Sequence, residues 1–158
     1  MMWNNLSERW QEYFIKQLHI TASMSKDENT QVGALIIDTY DKVVFSSGWN
    51  DLPRGVKHTK ERNSRPLKYQ FTSHAEMSCL TNALRIGVNV KMKTMLVTLG
   101  CCPICMQSII NSGVYELVTP NLDFEHVSCG EHYQYSLDMA KESGIIWNFD
   151  DRLKLGGV

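Results

Sequence analysis

No run of apolar residues in this chain approaches the ~20 needed to cross a bilayer, so the sequence predicts no membrane span. The first residues, Met1 to Arg9, lack the basic and then apolar layout of a secretory leader. Internal repeats, low-complexity tracts and Pro/Gly-rich linkers are missing as well. There is no excess of positive charge: the net charge is −1. A protein that grips phosphate backbones needs a basic groove, so a nucleic-acid partner is not expected. Nor is there an even set of cysteines for a disulfide scaffold. The count is five, and thiols at Cys79, Cys101 and Cys129 suit a reducing compartment, so a cytoplasmic protein is expected.

What is present is an ordinary globular composition, with 43% hydrophobic and 21% charged residues in 158. That length suits one domain with a real core. The expected domain is 1–153, with 154–158 as a mobile tail. Leu6, Trp10, Tyr13, Phe14, Gln17, Leu18 and Ala22 recur at helical spacing and predict a helix over 5–24. Val32 to Asp38 and Val43 to Trp49 are apolar runs joined by the turn 39–42, a hairpin. The polar stretch 50–72 reads as a long loop, and loops above ~15 residues in compact domains usually carry function. Beyond it the pattern predicts helix 74–86, strand 94–99, a helix ending near Gly113, strand 114–119, helix 130–143 and strand 145–149. Strand and helix alternation after residue 74 implies parallel pairing beside the antiparallel hairpin. The fold class expected is α/β, a mixed five-stranded sheet between helices.

The chemistry is concentrated in two short motifs. His74-Ala75-Glu76 is followed by Cys102-Pro103-Ile104-Cys105, with His74 28 residues before Cys102. Each motif has a bland reading. CxxC alone occurs in redox and structural zinc sites, and Ser73-His74-Ala75-Glu76 fits a helix-capping S-x-x-E. Together they favour a catalytic zinc. No second CxxC completes a four-cysteine site, so His74, Cys102 and Cys105 would leave a fourth tetrahedral position for water. Both motifs fall where helices should begin, Pro103 suits a first helical position, and a helix N-terminus favours thiolates. Cys102 and Cys105, at i and i+3, would share one helix face. His74 and Glu76 would stand about 200° apart within an ideal helix and so could converge only at its frayed first turn. Two thiolates neutralise the ion, so Glu76 is the expected base. This is the pattern of zinc-dependent nucleobase deaminases.

Longer stretches add to it. Ser25 to Ala34, Gly48-Trp49-Asn50-Asp51-Leu52-Pro53-Arg54-Gly55, Lys68-Tyr69 ahead of His74-Ala75-Glu76, and Ile109 to Val114 together make the chain resemble the deoxycytidylate (dCMP) deaminase family of the cytidine deaminase superfamily, over roughly 9–149. The resemblance implies the three-layer α/β/α cytidine-deaminase-like fold and hydrolysis of dCMP to dUMP. It implies Zn2+ on His74, Cys102 and Cys105, with Glu76 as proton shuttle. It also implies substrate contacts from Asn50 and the Ala75 backbone, and a homo-oligomer, dimer or hexamer. Arg54, Arg65 and Lys68, in or beside the long loop, are candidates for the phosphate because arginine forks fit phosphate oxygens.

Three positions depart from the family pattern. Cys101 replaces a proline and is expected to be a small buried residue, not a fourth ligand. Ser78 and Cys79 replace Asn and Ala, a change expected to loosen base or sugar recognition. Asp51 stands where relatives have glycine, and its carboxylate would repel a regulatory triphosphate. Phe124 is a possible stacking partner for the base or part of the core. His126, Cys129 and His132 are spaced by three, and ordinary surface or packing roles are expected of them. The rival readings are a dAMP to dIMP deaminase on the same zinc core, a tRNA or other polynucleotide deaminase, and a non-catalytic zinc module.

Overall fold

Apolar residues that alternate between the two faces of one sheet organise the molecule. The structure, a computed structural model, describes residues 2–125 and 130–156. The strands are β1 (Gly33–Asp38), β2 (Val43–Trp49), β3 (Thr94–Val97), β4 (Glu116–Thr119) and β5 (Ile146–Phe149), in the spatial order β2-β1-β3-β4-β5. β1 pairs antiparallel with β2 and with β3, whereas β3, β4 and β5 run parallel. Successive strand residues point to opposite faces. Ala34, Ile36, Met95, Val97 and Leu117 therefore meet one helical layer, and Leu35, Ile37, Leu96 and Val118 meet the other.

The first layer is α3 (Ala75–Ile86), α4 (Pro103–Ser112) and α5 (Tyr133–Ser143). Cys79, Ala83, Met106, Ile109 and Ala140 are its contributions to the core. The second layer is α1 (Glu8–Ala22), which buries Phe14, Ile15 and Leu18 beside Trp3, Leu6 and Leu153. This is the expected α/β/α arrangement.

Several boundaries differ from those expected, each for a local reason. α1 starts at Glu8 because Ser7 is extended (ψ 151°), and residues 3–5 form a separate 3-10 turn. That turn docks Trp3, whose backbone N–H donates to the buried Glu116 carboxylate at 2.9 Å. Tyr13, expected on the buried face, is 49% exposed, and Ile15 takes its place. The long loop contains one further helical turn, α2 (Lys68–Phe71), directly ahead of the His74 motif.

β2 and α3 approach closely at one glycine. A Cβ on Gly48 would lie 2.3 Å from the backbone nitrogen of Cys79, and Ser46 Oγ donates to the Cys79 carbonyl at 2.7 Å. Backbone cannot swing aside as a side chain can. Gly48→Ala should therefore cost at least the ~1–3 kcal/mol typical of overpacking. A urea titration should show a lower midpoint at unchanged slope. An unchanged midpoint would mean that α3 can shift freely on the sheet.

Candidate active site

Helix termini bring the motif residues together. His74 is the N-cap of α3, with extended backbone (φ −68°, ψ 155°), and Cys102 is the N-cap of α4 (φ −75°, ψ 162°). Neither is inside its helix. The 200° separation of His74 and Glu76 thus never arises, because the angular rule applies only to helical residues. Likewise Cys102 and Cys105 do not share a helix face as expected. They meet because an N-cap side chain folds back toward the third helical residue, while Pro103 fills the first helical position.

The result is a compact trio. His74 Nδ1 lies 3.5 Å from Cys102 Sγ and 3.4 Å from Cys105 Sγ, and the three donor atoms all fall within 4.8 Å of one another. In a tetrahedral zinc site with ordinary bond lengths, a nitrogen and a sulfur ligand are separated by ~3.6 Å. Two soft sulfurs and one imidazole nitrogen at that spacing fit zinc. Exposure falls across the trio, from His74 (exposed) through Cys102 to Cys105 (buried), so the open side faces the pocket. Proton affinities follow the same contacts. The hydrogen bond from Cys105, helped by His74, holds the Cys102 thiol down at about 4. The hydrogen bond to Cys102 raises His74 to about 9. Cys105 is pushed up by its bond to Cys102 and by burial.

Glu76 is 4% exposed. Burial, then the neighbouring Cys102, raises its pKa. The capping-box reading of Ser73 and Glu76 is not what the structure forms: His74, not Ser73, is the N-cap, and no side chain caps the helix. Ser73 Oγ instead contacts the His74 carbonyl and Ser78 Oγ.

A cavity of about 360 Å³ opens beside the trio and is lined by His74, Ala75, Glu76 and Cys102. Of the other residues expected to touch substrate, Asn50, Arg65 and Lys68 line it. Arg54 does not: it lines a separate groove with Asn82 and Arg85. Asn50 is also committed to backbone, accepting from Val32 N–H at 2.8 Å and donating to the Thr30 carbonyl at 2.8 Å. Lys68 is tied to Asp27. Asp27, Thr30, Tyr69, Thr72 and His132 line the cavity without having been singled out as substrate contacts. Asp27 and Thr30 could have been suspected, since they sit in the opening segment that resembles the family. His132 is marked in the sequence by its regular spacing with His126 and Cys129, for which a surface or packing role is expected.

The remaining positions resolve simply. Cys101 is fully buried and lies outside the trio. Ser78 and Cys79 are not in the cavity wall. Ser78 Oγ donates to Ser73 Oγ at 3.2 Å, and Cys79 is fully buried, its carbonyl accepting from Ser46 Oγ. Asp51 lies 3.2 Å from His58 and forms a backbone bridge with Ser73. Phe124 is 52% exposed and packs edge-on against Tyr133. His126 and Cys129 lie outside the described residues.

A buried carboxylate beside a histidine and two cysteines, on a sheet layered in this way, defines a zinc-dependent deaminase. The chain belongs to the cytidine and deoxycytidylate deaminase zinc-binding family, whose sequence model matches residues 8–120. It is 33% identical over 138 residues to an uncharacterized deaminase in the luxG 3' region of Aliivibrio fischeri, covering 87% of this chain and 90% of that one. It is 34% identical over 116 residues to the deoxycytidylate deaminase of Homo sapiens, covering 69% of this chain and 63% of that protein's length. In fold it is similar to the dCMP deaminase of cyanophage S-TIM5 solved with dCMP and dUMP, with a TM-score of 0.74 at 18% identity, covering 92% of this chain and all of that one. Among the described residues, no helix is long and apolar enough to cross a membrane.

Proposed function

We propose that the protein hydrolyses dCMP to dUMP and ammonia, with zinc on His74, Cys102 and Cys105 and with Glu76 as proton shuttle. The observation that carries this reading is the placement of the Glu76 carboxylate, buried, in the wall of the same cavity as the trio. A zinc ion held there supplies Lewis acidity, which brings the ionisation of water close to neutral pH. Glu76 takes a proton from the attacking water and gives it to the ring nitrogen of the base. A second transfer through the same carboxylate protonates the leaving amine. The Ala75 backbone and Asn50 border the base and sugar, and Arg65 takes the phosphate. Burial of Ala75 and Asn50 keeps water from competing for the contacts to base and sugar. Assembly as a homo-oligomer and a cytoplasmic location belong to the same reading. The resemblance supports both, and the Cys79 thiol, which is in no disulfide, suits the location.

Ammonia release from a panel of nucleosides and their mono- and triphosphates tests the substrate. dCMP should be turned over with much higher kcat/KM than deoxycytidine. Arg65→Ala should remove roughly 10- to 100-fold of that preference, the range for a hydrogen bond to a charged group, and leave deoxycytidine nearly unaffected. Consumption of dAMP without dCMP would keep the chemistry and overturn the base. Equal use of dCMP and deoxycytidine would overturn the phosphate.

A further inference from the structure

Two buried charges in the cavity wall take no part in the chemistry above. Lys68 Nζ lies 2.8 Å from Asp27 Oδ2, and the two side chains are only 8% and 9% exposed. The other oxygen of that carboxylate accepts the backbone N–H groups of Asn29 and Thr30 at 2.9 and 3.0 Å. Asp27 is thereby fixed in the turn it closes. Burial alone would raise its pKa, but the bonds from Lys68 and the two backbone groups outweigh burial and hold it below the ordinary carboxylate range.

The pair joins two segments distant in sequence. One is 25–32, which leads from α1 into β1. The other is α2, which leads into His74. The first segment is already tied to the end of β2, through Asn50 to Thr30 and Val32 and through Ser25 Oγ to the Asn50 carbonyl at 2.8 Å. Lys68 is the tie on its other side. Both members of the pair line the cavity.

A lysine buried and paired in this way is a poor phosphate ligand. Turning it toward a phosphate would leave the Asp27 carboxylate buried without its partner, and breaking a buried pair costs far more than a surface ion pair returns. Arg65 differs. It is exposed, lies over the Tyr69 ring at 5.9 Å, and among the described residues has no carboxylate in a salt bridge.

We propose that Asp27 and Lys68 are a positioning pair, a buried strut that sets the spacing between segment 25–32 and α2 and so the width of the nucleotide cavity beside Arg65. Lys68 does not itself take the phosphate. This deepens the reading above and rests on a nucleoside monophosphate as substrate.

The two possible roles of Lys68 give opposite signs. The test is the KM for dCMP, and the Kd for dUMP, of zinc-loaded Asp27→Asn, Lys68→Met and the double variant. A strut predicts that both singles raise KM and Kd together, by roughly 10- to 100-fold. The double variant should be no worse than the worse single, because the two residues act as one unit. Zinc content and kcat should stay near the wild-type values. If Lys68 bound phosphate directly, Asp27→Asn would free its charge and lower KM while Lys68→Met raised it, and that divergence overturns the proposal. Unchanged KM in the double variant overturns it too. The double variant leaves no unpaired buried charge, so it still reports on the cavity if a single variant fails to fold. Should the wild-type protein use deoxycytidine as readily as dCMP, the monophosphate reading fails separately. The same variants are then read on deoxycytidine, for which a strut still predicts a raised KM.

Discussion

Glu76→Gln should leave the protein folded and loaded with zinc, yet slow turnover by about 10²–10⁴-fold, the usual contribution of a general acid–base group. Glutamine keeps the size and a hydrogen-bonding end but cannot carry a proton from water to the base. Glu76 is 4% exposed and is not the N-cap of α3, which is His74, and glutamine keeps an oxygen that can accept from backbone N–H, so the helix should survive the change. Replacing a buried, ionisable carboxylate by a neutral amide should even spare the fold some desolvation. The measurement is kcat with dCMP beside zinc content and thermal unfolding of the same preparation. Near wild-type turnover would leave Glu76 without a catalytic role. A variant that lost zinc or unfolded would point to a structural role instead.

Removing the metal should abolish activity without abolishing the fold. Zinc analysis of the wild-type protein should give one ion per chain, and Cys105→Ala, which removes the most buried donor of the trio, should lower both zinc content and activity to background. Chelation should do the same reversibly, with activity returning on added zinc and far-UV circular dichroism nearly constant throughout. The reason lies in the cores on either side of the sheet. Met106 and Ile109 of α4 are fully buried against Ile36, Met95 and Leu117, so the helix carrying the cysteines is held by apolar packing and not by the ion alone. Thermal stability should still fall on chelation, because a ligand that binds only the native state stabilises it by mass action. Complete unfolding on chelation would mark a zinc module of the structural kind, in which binding energy is folding energy.

The polar loop 50–72 marks where the sequence was least legible. Its length points to function, and Asn50, Arg65, Lys68, Tyr69 and Thr72 do line the cavity, but nothing in the string marks which cations reach it. Arg54, Arg65 and Lys68 were equivalent as a string of residues. They were separated by contacts across the chain: Arg54 faces a groove beside β2 and α3, Lys68 is claimed by Asp27 from 41 residues away, and Arg65 is left exposed. Composition and spacing carry no information about which carboxylate will sit opposite a given lysine. Tyr13 and Ile15 show the same limit on a smaller scale, since helical periodicity fixes a face only to within about one residue.

The sequence by itself determined the chemistry and the layering. A histidine, a glutamate and two cysteines at these spacings admit few sites other than a zinc deaminase. Alternating apolar strands interleaved with helices after residue 74 demand a parallel sheet, because the helices must cross over it. Those signals lie in residue type and order, which can be read along the chain. The tertiary structure decided how His74 and Cys102 converge, since both lie at N-caps in extended backbone and the angular rules for helices do not reach them. It also decided that Asp27 and His132 enter the cavity wall and that Arg54 does not. Convergence of that kind depends on how two helix ends and a loop are packed against one sheet, and packing is a property of the folded chain rather than of any segment of it.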